Sequence, residues 1–220
     1  SGNVSGSSQV GGLVGNHAGG TLRYCYAKGS LVKGNQYVGG LSGQHGGGST
    51  YNNCYSSVDT VSGASTYVGG ISGWITTGTF DNNYSDSNVV GAAGAVGGLY
   101  GSSSVTSTTV TDSFFAGTVT GNSADSTVGT LVGDFGGTTN FNNNYAFDTT
   151  GSGSECTNSG GGSCNTSGYT AETPVSDFYQ PTHPVYTRVT QTWNIIDDGS
   201  WTTQIWKIDT GNALPVLGWE

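Results

Sequence analysis

The chain has 220 residues, 40 of them glycine, no methionine and only 9% charged side chains, which leaves low-complexity disorder or turn-rich β structure as the two classes open to it. Five Lys and Arg against fourteen Asp and Glu give a formal charge of −9. That balance excludes the basic footprint a nucleic-acid partner needs and disfavours an anionic membrane surface, and no apolar run approaches the ~20 residues of a membrane-inserted span.

Along the chain, Val4 and Gly6 come first and return as Val32 and Gly34, an offset of 28 residues. The hexapeptide "VGGLVG" at 10–15 follows and recurs as "VGGLSG" at 38–43, "VGGISG" at 68–73, "VGGLYG" at 96–101 and, loosened, "VGTLVG" at 128–133. The leading valines Val10, Val38, Val68, Val96 and Val128 are 28, 30, 28 and 32 residues apart, a period at which solenoids and propellers occur. Between the hexapeptides runs a second track, "CYAKGSLV" from Cys25, "CYSSVDTV" from Cys54, "NYSDSNVV" from Asn83, "FFAGTVTG" from Phe114 and "NYAFDTTG" from Asn144. Its aromatic residues Tyr26, Tyr55, Tyr84, Phe115 and Tyr145 keep the same beat, at 29, 29, 31 and 30 residues. Periodic apolar positions argue for β structure, because a disordered segment has no reason to keep such a beat.

Strands this short cannot bury a face alone, so the repeats must stack. The expected fold is all-β, a right-handed parallel β-helix (solenoid) of about five ~29-residue rungs with a C-terminal cap; propeller blades usually take ~40 residues or more. The five aromatics are expected to stack as a core ladder. The asparagines at 52–53, 82–83 and 142–144 fall at one corner of successive rungs, where side-chain amides can form a polar ladder. Residues 1–150 form the repeat region and 151–220 a different one, an inserted stretch followed by a cap that holds all four prolines and Trp193, Trp201, Trp206 and Trp219. Such a cap would cover the open edge of the last rung.

Cys25 and Cys54 are one rung apart and each precedes a ladder aromatic. Parallel strands lie ~4.8 Å apart and disulfides need Cα atoms roughly 4.4–6.8 Å apart, so a cross-rung disulfide fits. Cys156 and Cys164 bracket the flexible loop "TNSGGGS" and make a second pair. An even set of pairable cysteines points to an oxidising, extracellular or cell-surface setting. The sequons at Asn3, Asn83 and Asn165 would permit glycosylation there.

Catalytic constellations are missing from the sequence: no HExxH, CxxC, GxSxG or P-loop appears. His17 and His45, 28 residues apart, should stack, but the next rungs offer Ile75 and Ser103 where a metal site needs three or four ligands. They read as exposed turn residues, and neither a metal nor a cofactor is expected. Arg23, Lys28 and Lys33 read as a solvated face.

The hexapeptide followed by a spaced "YA" or "YS" strand resembles the GLUG-motif repeat, over residues 1 to about 150, with Thr130 departing from it in place of the second glycine. The closing "LPVLGW" is similar to the ending such arrays often have. The resemblance implies a non-catalytic stalk of a secreted or surface-anchored protein, a class that includes adhesin-like proteins and immunoglobulin-A-cleaving metallopeptidases.

The repeat begins in mid-rung, since the counterpart of Tyr26 would precede Ser1. The chain is thus expected to be cut from a longer array, or to expose an edge at Val4, Gly6 and Val10 that another copy of itself completes end to end. Together these features lead to a non-enzymatic structural or adhesive solenoid, a filament subunit or a stalk, with a host surface or glycan as the other partner class. The alternatives are a carbohydrate-binding module, marked by Tyr37, Tyr67 and the C-terminal tryptophans if they form an exposed face, or the non-catalytic part of a secreted polysaccharide- or peptide-cleaving enzyme.

Overall fold

The computed structural model describes residues 2–103, 108–122, 126–136, 139–147, 164–165, 169–172, 178–179, 183–186, 195–197, 206–208 and 214–217. The repeats form a parallel β-solenoid of about five turns whose strands stack into four sheets; in the turns of residues 84–91 and 114–121 the strand of the fourth sheet is split in two. The first sheet stacks Ser8–Gly11, Gln36–Gly39, Val68–Gly69, Gly94–Gly97 and Ser126–Gly129. The second stacks Val14–His17, Ser42–His45, Ser72–Ile75, Tyr100–Ser103 and Val132–Phe135. A third runs from Thr21–Arg23 through Ser49–Asn52 and its successors to Cys164–Asn165, and the fourth, led by Asn3–Ser5, runs through Tyr26–Gly34 and Tyr55–Gly63 to Tyr169–Glu172. The strands of residues 164–165 and 169–172 therefore continue the stack beyond residue 150.

The register follows the repeat. Val10, Val38, Val68, Val96 and Val128 pair in series, and Val4 pairs with Val32 as its spacing predicts. Val10, Val38, Val68 and Val96 and the leucines or isoleucines at Leu41, Ile71, Leu99 and Leu131 are buried and meet Tyr51, Phe80 and Val110 from the third sheet in one continuous core. Period-two alternation in strands such as Ser49–Asn52 sends every second side chain to that core.

The corner before the fourth sheet is built by residues in the left-handed region, Tyr24, Asn53, Asn82, Asp112 and Asn143, with φ of 47 to 56°. Asn and Asp tolerate that conformation, which is why the polar cluster recurs there. Their side chains bond from rung to rung, Asn82 to Asn53 at 3.5 Å and Asn143 to Asp112 at 2.6 Å, as the amide-ladder reading expects.

The aromatic ladder departs from expectation in two ways. Its rings point away from the solenoid core into a second cluster. Its fourth member is Phe114, which pairs with Tyr84 and Tyr145, whereas Phe115 pairs with Ser85 and Ala146 and faces the core. Tyr26–Tyr55, Tyr55–Tyr84 and Tyr84–Phe114 stack at 5.3, 4.8 and 4.8 Å with interplanar angles of 11° or less. The cap is correspondingly a lateral strap. Phe178 stacks on Phe114 at 4.7 Å, and His183 meets Tyr145 edge-on at 4.7 Å. Trp206 lies against Tyr55 and Tyr84 and donates Nε1–H to Asn53 Oδ1 at 2.7 Å, while the Tyr84 hydroxyl donates to the Pro215 carbonyl. Four outward rings would be a large apolar stripe in water, and covering them is the strap's physical role. Trp193, Trp201 and Trp219 lie outside the described residues.

Candidate functional site

Three groups of chemistry-bearing side chains stand out, the first two each in one column of the stack and the third across two adjacent columns. The first column lies just inside the left-handed corner and reads Cys25, Cys54, Asn83, Ser113, Asn144. Asn83 Oδ1 accepts from the Cys54 backbone N–H at 2.9 Å, and its Nδ2 donates to the Tyr51 carbonyl at 3.1 Å. Asn144 repeats this with Ser113 N–H and the Val110 carbonyl. Asn83 is thus a fully buried structural amide, which corrects its reading as a glycosylation site: its nitrogen is consumed by the fold. Asn3 is exposed, and the Asn165 side chain lies outside the described residues.

Cys25 and Cys54 fill the first two steps of this column as free thiols, so the expected disulfide is not formed here. The Cys54 thiol beside Cys25 lowers the Cys25 pKa to about 6, against an opposing push from burial. Burial raises Cys54 well above the ordinary thiol range. The Cys156–Cys164 pairing lies outside the described side chains.

The second group is His17 and His45, which pair in register with Nδ1 atoms 3.3 Å apart and rings 5.2 Å apart. They stack, but His45 is not an exposed turn residue: it is fully buried, 4.1 Å from the Tyr51 ring and 4.8 Å from Phe80. Burial drives its pKa down to about 4. The column continues as Ile75, Ser103 and Phe135, so the chain treats it as core. Among the described residues no cluster of three or more His, Cys, Asp or Glu side chains could hold a metal.

The third group is on the outer surface where the first two sheets meet. Tyr37, Tyr67 and Trp74 touch one another, with centroids 5.3 Å apart for Tyr37–Trp74, 5.7 Å for Tyr37–Tyr67 and 6.4 Å for Tyr67–Trp74. All three are half-buried. Sequence reading singled out the two tyrosines but missed Trp74, the one half-buried position in Ser72–Ile75.

The first two sheets approach so closely because their facing positions are glycine. A Cβ on Gly39 would lie 2.0 Å from the Ser42 carbonyl oxygen, and one on Gly43 2.3 Å from the Gln9 carbonyl carbon. This glycine-lined double layer is the geometric content of the hexapeptide. Residues 6–32 match the GLUG motif. The GLUG glycines in this chain are therefore packing residues. At the second glycine of the motif, a Cβ on Gly98 would lie 2.1 Å from the Thr130 carbonyl oxygen of the next rung. Thr130 itself is tolerated because, among the described residues, the first sheet ends with its rung.

At the level of the fold, the chain is similar to the crystal structure of a "putative immunoglobulin A1 protease" from Bacteroides ovatus, with a TM-score of 0.57 and 15% sequence identity over 99% of this chain and 74% of that one. No curated protein matches by sequence. Among the described residues no helix is long and apolar enough to cross a membrane.

Proposed function

We propose that this solenoid is a non-enzymatic structural or adhesive module of an extracellular or cell-surface protein, in which stacked rungs act as a rigid rod. The observation that carries the reading is the register: Val10, Val38, Val68, Val96 and Val128 pair in series, so one rung repeats along a single axis with its side chains in columns. Further rungs on the same axis come from a second copy of the chain in a filament or from neighbouring repeats in a stalk. The GLUG match and the low charge support a role outside the cell.

A second reading, the non-catalytic part of a peptide-cleaving enzyme, is favoured by the name of the Bacteroides ovatus structure. Location is tested by probing intact source cells with an antibody against the chain before and after permeabilisation. Signal on intact cells or in the medium is expected, and signal only after permeabilisation would contradict the proposal.

A further inference from the structure

The column before each motif valine reads Gln9, Tyr37, Tyr67, Ala95, Thr127, and the second-sheet column through Trp74 reads Asn16, Gln44, Trp74, Ser102, Asp134. The scaffold thus accepts amides, hydroxyls, a methyl group and a carboxylate at these positions, and nothing in the stack demands aromatic rings there. Yet three are gathered in adjacent rungs, and the arrangement carries two energetic costs. Tyr37 is held at a φ of 50°, a region disfavoured for a bulky side chain. Trp74 has its Nε1–H enclosed without a hydrogen-bond partner. Strain and an unsatisfied donor concentrated in one surface patch point to selection for something other than stability.

The surroundings indicate the ligand. One rung before the Tyr37–Trp74 pair, Gln9 Nε2 donates to Gln44 Oε1 at 2.5 Å. The patch therefore joins a continuous apolar ring surface to uncharged amide groups. A sugar ring has the complementary form, with an apolar C–H face and a rim of hydroxyls. We propose that Tyr37, Tyr67 and Trp74 form a platform for a neutral saccharide, its C–H faces lying on the rings and its hydroxyls met by Gln9 and Gln44. Tyr37 and Tyr67 are one rung apart, so a linear oligosaccharide along the solenoid axis meets a ring in each rung. The absence of charge from the named groups, together with a chain charge of −9, selects against acidic sugars. The site stands whether the module is a filament subunit or a stalk.

The test is a printed array of neutral and acidic glycans probed with the whole chain, followed by calorimetric titration of the best oligosaccharide against the parent, Trp74→Ala, Tyr37→Gly and Tyr24→Ala. Tyr37→Gly removes a ring and relieves the backbone, so it keeps the fold; thermal melting checks this. Neutral glycans should bind, with affinity falling about tenfold or more in Trp74→Ala and Tyr37→Gly and unchanged in Tyr24→Ala, an exposed aromatic elsewhere. Failure of every glycan on the array to bind, a preference for acidic ones, or equal binding by the patch variants would overturn the proposal. So would preferential capture of a proline-rich peptide, the other partner that aromatic-lined grooves accept.

Discussion

Acidification should destabilise this solenoid chiefly through His45. Its imidazole is fully buried among Tyr51, Phe80 and His17, and burial lowers its pKa from the usual 6.5 to about 4. Above pH 6.5 it is neutral in both folded and unfolded chains and has no effect on the balance. Between 6.5 and about 4 the unfolded chain binds the proton and the folded one does not, so stability falls as pH falls; below about 4 the loss is complete. At about 1.36 kcal/mol per pH unit, this interval is worth about 3 kcal/mol. With a urea dependence of about 1–3 kcal/mol per molar, the unfolding midpoint should drop by about 1–3 M between pH 7.5 and 4. Asp86 works in the opposite direction, since burial raises its pKa, and His17 shares the downward shift. The comparison is therefore with His45→Ile, which continues the Ile75 column and leaves both of those groups in place. Urea titrations of the two proteins at matched pH should show the parent losing about 3 kcal/mol more than the variant. Parallel losses in both proteins would refute the reasoning.

Three further outcomes follow from the same geometry. Mild oxidation should join Cys25 to Cys54, seen as a cross-linked peptide pair, and raise stability by about 3–4 kcal/mol for a loop of this length; two thiols that stay alkylatable under oxidant would contradict it. Gly39→Ala should cost about 3 kcal/mol or more, because its Cβ would press on backbone of the facing sheet, while Gly2→Ala, with open space around it, should stay within about 0.5 kcal/mol in denaturant titration. Trp206→Ala should cost about 3–5 kcal/mol by uncovering Tyr55 and Tyr84, and Trp206→Phe only about 1 kcal/mol beyond its size change for the lost bond to Asn53; equal losses would mean that the strap is held by something else.

The rung was legible because its constraints are local and repeated. Glycines needed for sheet-to-sheet contact and Asn or Asp needed at a left-handed corner recur at fixed spacing, so aligning the chain with itself recovers the register down to Val4 on Val32. What failed depended on which way a side chain faces. "FF" at 114–115 offers two candidate ladder rings, and a one-residue choice moves a residue from one face of the sheet to the other, which is how Phe115 came to stand where Phe114 belongs. The ladder's outward direction could not be read because its cover comes from residues such as Trp206, more than a hundred positions away. His45 was misjudged for a related reason: its glycine-rich neighbours read as a turn, while its burial is set by Tyr51 and Phe80 from the third sheet. Asn83 matched a sequon by letter although its amide already closes two backbone hydrogen bonds.

The central claim, that this chain works as part of a rod of stacked rungs, is tested most directly by negative-stain electron microscopy of the native material alongside its intact mass. About five rungs at ~4.8 Å each span roughly 24 Å. Fibres or stalks clearly longer than that are predicted, built from many copies of this chain or from a longer polypeptide. Separate particles no longer than a single stack, from a polypeptide of this length and at high concentration, would contradict the account.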